Sequence, residues 1–241
     1  MVSLSTAFVT VQDAVSNIFG ASPELHVLLE NTTYPFAHEA GIFIPAEQCD
    51  DSQHDDTLWI TSNQFPDPES GDIIVKVSRV TLPSDRQATP QIEEIDVTAV
   101  QLANGGTNYK NGLLLCAQGT LTIPGGIGFV DYQPPFKSYL LISDFYGREF
   151  NSINDVVAHS DGSIWFTDPI YGFEQGIRPK PRLPNQVYRF DPETQAIRAV
   201  ADGFGRPNGL AFSPDEKIVY VTDTEWTHGD GNKDDTRAST M

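Results

Sequence analysis

Short apolar segments recur in this chain about once every 50 residues. Their centres are Trp59, Leu115, Trp165 and Tyr220, so successive centres are 56, 50 and 55 residues apart. Each segment is rich in β-branched and aromatic residues and is followed by a polar residue or glycine, which is typical of a β-strand. A repeat of this length predicts the blades of a β-propeller, in which four-stranded sheets are arranged radially around a channel.

Turn sequences separate the strands within each predicted blade. Residues 159–163 (HSDGS) and 213–217 (SPDEK) each lie between two apolar segments and contain the residue types of tight turns. We therefore expect each turn to join strand A to strand B of one blade. The outer strands C and D are predicted at residues 73–80 and 92–97 of the first blade and at residues 186–190 and 196–200 of the third.

These patterns predict an all-β propeller with about four blades present in the chain. We assign residues 25–241 to this partial propeller domain and residues 1–24 to an N-terminal extension, in which residues 11–19 form a weak helical pattern. The sequence ends soon after the fourth A–B pair, in a polar segment. Because an open ring leaves strand edges and an apolar blade face uncovered, we expect a longer, truncated propeller.

The chain is strongly acidic, with a formal net charge of −18. Nucleic-acid binding depends on clusters of Lys and Arg, so we expect neither a nucleic-acid partner nor a membrane partner. Residues 1–20 lack a basic leading segment and predict neither a signal peptide nor a membrane span, which favours a cytoplasmic protein. The only cysteines are Cys49 and Cys116, which disfavours a disulfide framework. The oligomeric state is left open.

Five motifs follow one another in a fixed order with blade-like spacing. They are residues 36–41 (FAHEAG), 61–64 (TSNQ), 151–156 (NSINDV), 165–172 (WFTDPIYG) and 206–215 (RPNGLAFSPD). Together they resemble the gluconolactonase/regucalcin family (senescence-marker-protein/gluconolactonase/luciferin-regenerating), and in particular its fungal lactonohydrolase branch, from about residue 25 onward. The resemblance implies a six-bladed β-propeller, a divalent metal on the channel axis and hydrolysis of a lactone.

The resemblance also implies roles for individual residues. Glu39 and Asn208 match two metal ligands of the family. Asn154 matches an asparagine that contacts the substrate and metal-bound water, and we count it with both the metal ligands and the substrate-binding residues. Its neighbour Asp155 matches a supporting carboxylate on the substrate side. The third metal ligand, an Asp that also serves as the catalytic base, is expected beyond Met241, so no catalytic residue is predicted within the chain.

The expected metal is calcium. Carboxylate and amide oxygens suit a hard cation, and the absence of His and Cys at these positions argues against zinc. Calcium accepts about 6–8 oxygen ligands, which leaves positions for water and a lactone carbonyl. The family often has an arginine where this chain has Ser152, so the expected substrate is a small lactone, aldonate-like or pantolactone-like, rather than a sugar-acid lactone in particular.

Each candidate residue also has a simpler interpretation. Glu39 could be a surface glutamate, Asn208 a turn residue, and Asn154 with Asp155 the start of a strand. A repeated Asp, at positions 144, 168 and 223, is expected to end three B strands in a structural role. No serine lies in a Gly-x-Ser-x-Gly setting, so a serine-hydrolase triad is not supported.

Two functions are consistent with these features. The first is a calcium-dependent lactonohydrolase that converts a small lactone to its hydroxy acid. The alternative is a non-catalytic calcium-binding or interaction propeller, inactive because the catalytic Asp and the C-terminal blades are missing.

Overall fold

The computed structural model describes residues 16–20, 23–25, 27–48, 55–85 and 88–241. The chain divides into two compact units, Met1–Thr33 and Tyr34–Met241. In the first unit, helix α1 is Ser16–Phe19, and the Asn31 Oδ1 accepts hydrogen bonds from the backbone N and the Oγ1 of Thr33 at 2.8 and 2.7 Å. The rest of the predicted helical segment and Cys49 lie outside the described residues. The domain boundary predicted after residue 24 stays a prediction.

The first blade begins the second unit. Its strands are β1 (Glu39–Ile44), β2 (Asp56–Thr61), the short β3 (Phe65–Pro66) and β4 (Ile73–Ile74), β5 (Val77–Leu82) and β6 (Gln91–Ile95). β1, β2, β5 and β6 form an antiparallel four-stranded sheet in that order, while β3 pairs with β4. Both predicted outer strands of this blade are present, but residues 73–80 divide into β4, which pairs with β3, and β5, which belongs to the sheet.

The second blade repeats this plan. It consists of β7 (Ala103–Tyr109), β8 (Gly112–Ala117), β9 (Gly126–Asp131) and β10 (Ser138–Ile142), paired antiparallel in sequence order. A small hairpin of β11 (Asp144–Phe145) and β12 (Arg148–Glu149) follows it.

The third blade consists of β13 (Val156–Ala158), β14 (Ile164–Asp168), β15 (Gln186–Asp191) and β16 (Ala196–Ala201). A four-residue helix that the sequence did not predict, α2 (Tyr171–Glu174), lies between β14 and β15. The fourth sheet has three strands, β17 (Pro207–Phe212), β18 (Val219–Thr224) and β19 (Ser239–Thr240). No helix among the residues described is long and apolar enough to cross a membrane.

The first strand of each sheet is its inner strand, and the inner strands pack beside one another. β1 contacts β7, β7 contacts β13, and β13 contacts β17. The four predicted centres lie in the second strands β2, β8, β14 and β18. This radial order of antiparallel sheets confirms the predicted all-β propeller with four blades. We call the region between the inner strands the hub.

Packing between blades explains the continuous apolar run in β8. Every residue from Gly112 to Ala117 is buried. Leu113 and Leu115 belong to a core shared with the first blade, whereas Leu114 and Cys116 belong to a core shared with the third. Because successive side chains of a strand point to opposite faces, a strand covered on both faces must be apolar at every position.

Aspartates close the ends of two second strands. The Asp168 carboxylate accepts hydrogen bonds from the backbone N–H of Asn151 (3.0 Å) and Ser152 (2.9 Å). Asp223 does the same for Gly205 and Arg206, at 2.8 and 2.7 Å. Each bond pair ties the end of strand B to the segment that enters strand A of the same blade, which is the structural role predicted.

The prediction that Asp144 ends the second strand of a blade was wrong. Asp144 lies in β11, after the fourth strand of the second blade, and its Oδ1 accepts a hydrogen bond from Gly147 N at 2.7 Å. It therefore shapes the β11–β12 turn. The position that follows the second strand of this blade is occupied by Gln118.

Removal of the Asp168 carboxylate should destabilise the protein more than removal of its counterpart Asp223. Asp168 is fully buried, whereas the bonds of Asp223 are partly exposed to water. We expect Asp168→Ala to lower the unfolding free energy by about 2–4 kcal/mol, because two buried N–H groups lose their acceptor. Asp223→Ala should cost less. Urea denaturation followed by tryptophan fluorescence measures both, and equal losses would contradict the assignment.

Stabilisation by Asp168 should also depend on pH. Burial raises its pKa to about 7, above an ordinary value of 3.8, although the two N–H donors and the Arg178 guanidinium lower it. The folded state therefore holds a proton that the unfolded chain releases, so the unfolding free energy falls as pH rises through about 7. Relative to Asp168→Asn, which does not titrate, we expect wild type to lose on the order of 1–2 kcal/mol between about pH 5.5 and about pH 8. Urea titrations at the two pH values test this, and a constant or growing difference would refute it.

Candidate functional site

Polar residues mark the start of each inner strand, at one rim of the hub. We call them the rim cluster. In chain order they are Glu39 of β1, Asn104 of β7, Asn154 and Asp155 just before β13, and Asn208 of β17. Since the inner strands neighbour one another, these residues lie at equivalent places around the hub.

A β-bulge recurs at this rim. The pairing register shifts between Glu39 and Ile42 in β1, between Ala103 and Gly106 in β7, and between Pro207 and Leu210 in β17. A bulge inserts an unpaired residue and changes the direction of the nearby side chains. Three of the four inner strands therefore use the same irregularity to orient a polar residue.

Glycines allow the inner strands to approach closely here. A Cβ added to Gly105 would lie 2.4 Å from the Asn154 carbonyl oxygen and 2.9 Å from the Asp155 Oδ1. The Gly105 N–H also donates a hydrogen bond to the Asn154 carbonyl at 2.9 Å. A side chain at position 105 would push the second and third blades apart at the rim.

Threonine hydroxyls connect further pairs of blades. Thr61 Oγ1 donates a hydrogen bond to the Asn104 carbonyl at 2.9 Å, and Thr167 Oγ1 donates one to the Asn208 carbonyl at 2.7 Å. Thr167 Oγ1 also accepts the Asp155 N–H at 3.1 Å, while its carbonyl accepts the Asn154 N–H at 3.0 Å. The backbones of Asn154, Asp155 and Asn208 are thereby brought together through one residue.

Asn104 was not predicted as a site residue. It is 6% exposed, and its Oδ1 is buried without a hydrogen-bond partner within the part of the chain that the structure describes. A buried polar atom without a partner carries a desolvation cost that a ligand can offset. The sequence signal was an Asn-Gly-Gly segment one blade before the Asn154 motif.

The side chains of Asn154 and Asn208 are also uncommitted. Neither amide forms a hydrogen bond with another described residue, although the backbone of each is held by a neighbouring blade. Their oxygens can therefore serve as ligand atoms without breaking a bond in the fold.

Two carboxylates lie near each other at the rim. Burial raises the pKa of Glu39. Burial also raises the pKa of Asp155 to about 6, the Glu39 charge adds to this rise, and the N–H donors of Leu210 and Val156 lower it. Neither carboxylate forms a salt bridge with any residue described. Two partly desolvated acidic groups that repel each other favour a bound cation between them.

The donor set fits a hard cation. No group of three or more His, Cys, Asp and Glu side chains suited to a metal occurs among the described residues. A cation at the rim would therefore be held by one or two carboxylates together with amide oxygens, which is chemistry that calcium accepts. The ligand set Glu39, Asn154 and Asn208 stays a prediction, and Asn104 is an additional candidate.

Asp155 and Ser152 have structural bonds that limit their roles. Asp155 accepts N–H bonds from Val156 and, across to the fourth blade, from Leu210, both at 2.8 Å. The buried Ser152 donates to the Pro169 carbonyl and accepts from Gly172 N, at 2.9 and 2.8 Å. Asp155 supports the rim by joining two blades, and Ser152 supports the segment that contains α2.

A methyl group at position 105 should disturb the rim. We expect Gly105→Ala to lower the unfolding free energy by about 1–3 kcal/mol, because the added Cβ overlaps the Asn154 carbonyl. Gly41→Ala in β1 is the matched control, since no atom lies within 4 Å of the Cβ it would add. Urea denaturation measures both variants. The close approach of Gly105 to the Asn154 carbonyl would be contradicted if Gly41→Ala were destabilised or if Gly105→Ala were as stable as wild type.

The chain is similar in sequence and fold to known proteins. The sequence pattern of the SMP-30/Gluconolactonase/LRE-like region matches residues 76–228. The chain is 30% identical over 226 residues to Lactonohydrolase oryL of Aspergillus oryzae, covering 88% of this chain and 46% of that protein. It is 37% identical over 90 residues to Gluconolactonase of Zymomonas mobilis, covering 36% of this chain and 24% of that protein.

Among solved structures, a gluconolactonase from Xanthomonas campestris superposes with a TM-score of 0.55 at 26% identity, covering 79% of this chain and 56% of that one. The chain thus spans about half the length of the relatives that it matches most extensively. Since the family pattern covers more than half of the chain, and the propeller fold agrees with it, the chain belongs to the SMP-30/gluconolactonase/LRE family.

Proposed function

We propose that the protein hydrolyses a small lactone to its hydroxy acid with the help of a bound divalent cation, calcium by the chemistry of its donors. One observation carries this proposal: polar residues at the start of all four inner strands lie at the same rim of the hub, and they include the partly desolvated Glu39 and Asp155, which have no basic partner among the described residues. Membership of a family that contains lactonohydrolases and gluconolactonases supports it.

In this proposal Glu39, Asn154 and Asn208 hold the cation. When bound, a divalent cation polarises a lactone carbonyl and stabilises negative charge on its oxygen. Asn154 also orients water or substrate through its free amide. Asp155 keeps Asn154 in place, because it joins the third and fourth blades through the N–H groups of Val156 and Leu210. The proton acceptor implied by the family resemblance has no match in this sequence and is not assigned to a residue.

The substrate class is proposed from charge and similarity. The proposed substrate is a neutral small lactone, aldonate-like or pantolactone-like, and its product is an anion. A net charge of −18 favours release of an anionic product and disfavours a nucleic-acid partner. We propose a cytoplasmic location.

Removal of the Glu39 charge should abolish hydrolysis. We expect Glu39→Gln to lower kcat/KM for acid release from a lactone by about 100-fold or more, and EDTA to do the same to wild type, because both remove the cation. Acid release in a pH-stat, with calcium binding measured by calorimetry, tests this. The matched control is Glu193→Gln, since Glu193 is exposed in the turn between the outer strands β15 and β16.

Two outcomes would contradict the proposal in different ways. Full activity of Glu39→Gln in the presence of EDTA would exclude cation-dependent hydrolysis. Calcium binding that depends on Glu39, without hydrolysis of any lactone, would favour the alternative of a non-catalytic calcium-binding propeller.

A further inference from the structure

The segment that contains α2 crosses the mouth of the hub. Glu174, the last residue of α2, accepts hydrogen bonds from the Arg206 Nε at 3.2 and 3.0 Å and from Gly229 N at 2.6 Å. Arg206 leads into the inner strand of the fourth blade, and Gly229 follows its second strand. The next residue, Gln175, accepts a hydrogen bond from Gln64 of the first blade at 2.9 Å.

The first and fourth blades are the two ends of the row of inner strands. Glu174 and Gln175 are adjacent in the chain, so they can contact the fourth and the first blade only where these two blades approach each other. That place is above the hub. The segment also contacts the second blade, since Arg178 donates to the carbonyl of Ile123 at 3.0 Å and to that of Thr120 at 2.5 Å. The α2 segment therefore covers the hub on the side of the rim cluster.

Three glutamine side chains meet where the α2 segment contacts the first blade, and we call them the glutamine row: the exposed Gln175 of the segment, the half-buried Gln64 and the buried Gln118. The Gln64 Nε2 lies 2.9 Å from the Gln175 Oε1 and 3.5 Å from the Gln118 Oε1. Gln118 is 2% exposed, and its Nε2 donates to the Leu102 carbonyl at 3.1 Å. The row thus links the first three blades.

The glutamine row lies at the same rim as the candidate site. Gln64 follows β2, whose last residue Thr61 pairs with Glu39. Gln118 directly follows β8, whose last residue Ala117 pairs with Ala103, the neighbour of Asn104. Gln64 and Gln118 therefore lie at the same end of their sheets as Glu39 and Asn104.

Amides suit hydroxyl groups. An amide offers both a donor and an acceptor without charge, and a hydroxyl group needs both. The Gln64 Oε1 forms no hydrogen bond with another described residue, and the Asn104 Oδ1 is buried without a described partner. An apolar ring would leave the Asn104 Oδ1 unpaired and would displace water from the half-buried Gln64 Oε1 without replacing its hydrogen bond. A site of this kind discriminates against ligands that lack the hydroxyl.

We propose that Gln64 and Gln118, next to the α2 segment, are specificity-determining residues that select lactones with hydroxyl groups on the ring over unsubstituted lactones of the same ring size. This inference rests on the proposed lactone hydrolysis. It assigns substrate selection to neutral amides of the first and second blades, and it requires no arginine at the position of Ser152.

The test compares two six-membered lactones, glucono-δ-lactone and δ-valerolactone, with spontaneous hydrolysis subtracted. We expect wild type to prefer the hydroxylated lactone, and Gln64→Leu to lower the ratio of the two kcat/KM values by about tenfold, the effect of one hydrogen bond. The loss should fall on the hydroxylated lactone, while kcat/KM for δ-valerolactone stays unchanged. Gln118→Leu should act in the same direction.

Gln91→Leu is the matched control, because Gln91 is exposed in the outer strand β6. Circular dichroism and thermal melting of each variant verify the fold. Gln64 is only half-buried, so Gln64→Leu still tests the inference if Gln118→Leu, at a buried position, fails to fold. An unchanged ratio in Gln64→Leu, or equal losses on both lactones, would overturn the inference and leave the proposed function intact. Absence of hydrolysis of either lactone by wild type would overturn both.

Discussion

The candidate site depends on hydrogen bonds between neighbouring inner strands at one rim of the hub. Thr61 and Thr167 donate to the carbonyls of Asn104 and Asn208, and Gly105 donates to that of Asn154. In each case the backbone of an asparagine is fixed by the adjacent blade, while its side-chain oxygen is not used by the fold. The same contacts therefore join the blades and present the ligand atoms, so the site exists only where the blades pack correctly.

The unpaired acidic groups at the rim destabilise the folded state and favour the binding of a cation. Glu39 and Asp155 are desolvated near each other without a basic partner among the described residues, and burial raises the pKa of both. Other partly buried charges among the described residues are paired, as with Arg206 and Glu174 or Arg178 and Glu149, while the buried Asp168 is held by two backbone N–H groups. The rim is thus a place where the fold tolerates unpaired acidic groups, and a cation is the partner that would offset their cost.

The sequence predicted the blades because their apolar segments are required for packing. β8, for example, is covered on both faces, so its apolar run was visible without the structure. Glu39, Asn154 and Asn208 were found through motifs, whereas Asn104 was missed because the Gly-Gly that follows it weakens the strand pattern. Asp144 was misplaced because the β11–β12 hairpin interrupts the repeat, and α2 was missed because four residues are too few to show helical periodicity.

The cover over the hub is held unequally on its two sides. On the fourth blade, the contacts of Glu174 are charge-assisted bonds from the Arg206 guanidinium, reinforced by the Gly229 N–H. On the first blade, the contact is the neutral hydrogen bond between Gln64 and Gln175, which is exposed to water. Bonds to charged groups stabilise a structure about twice as much as neutral bonds. The α2 segment is therefore held more strongly at the fourth blade, through Glu174, than at the first blade, through Gln175.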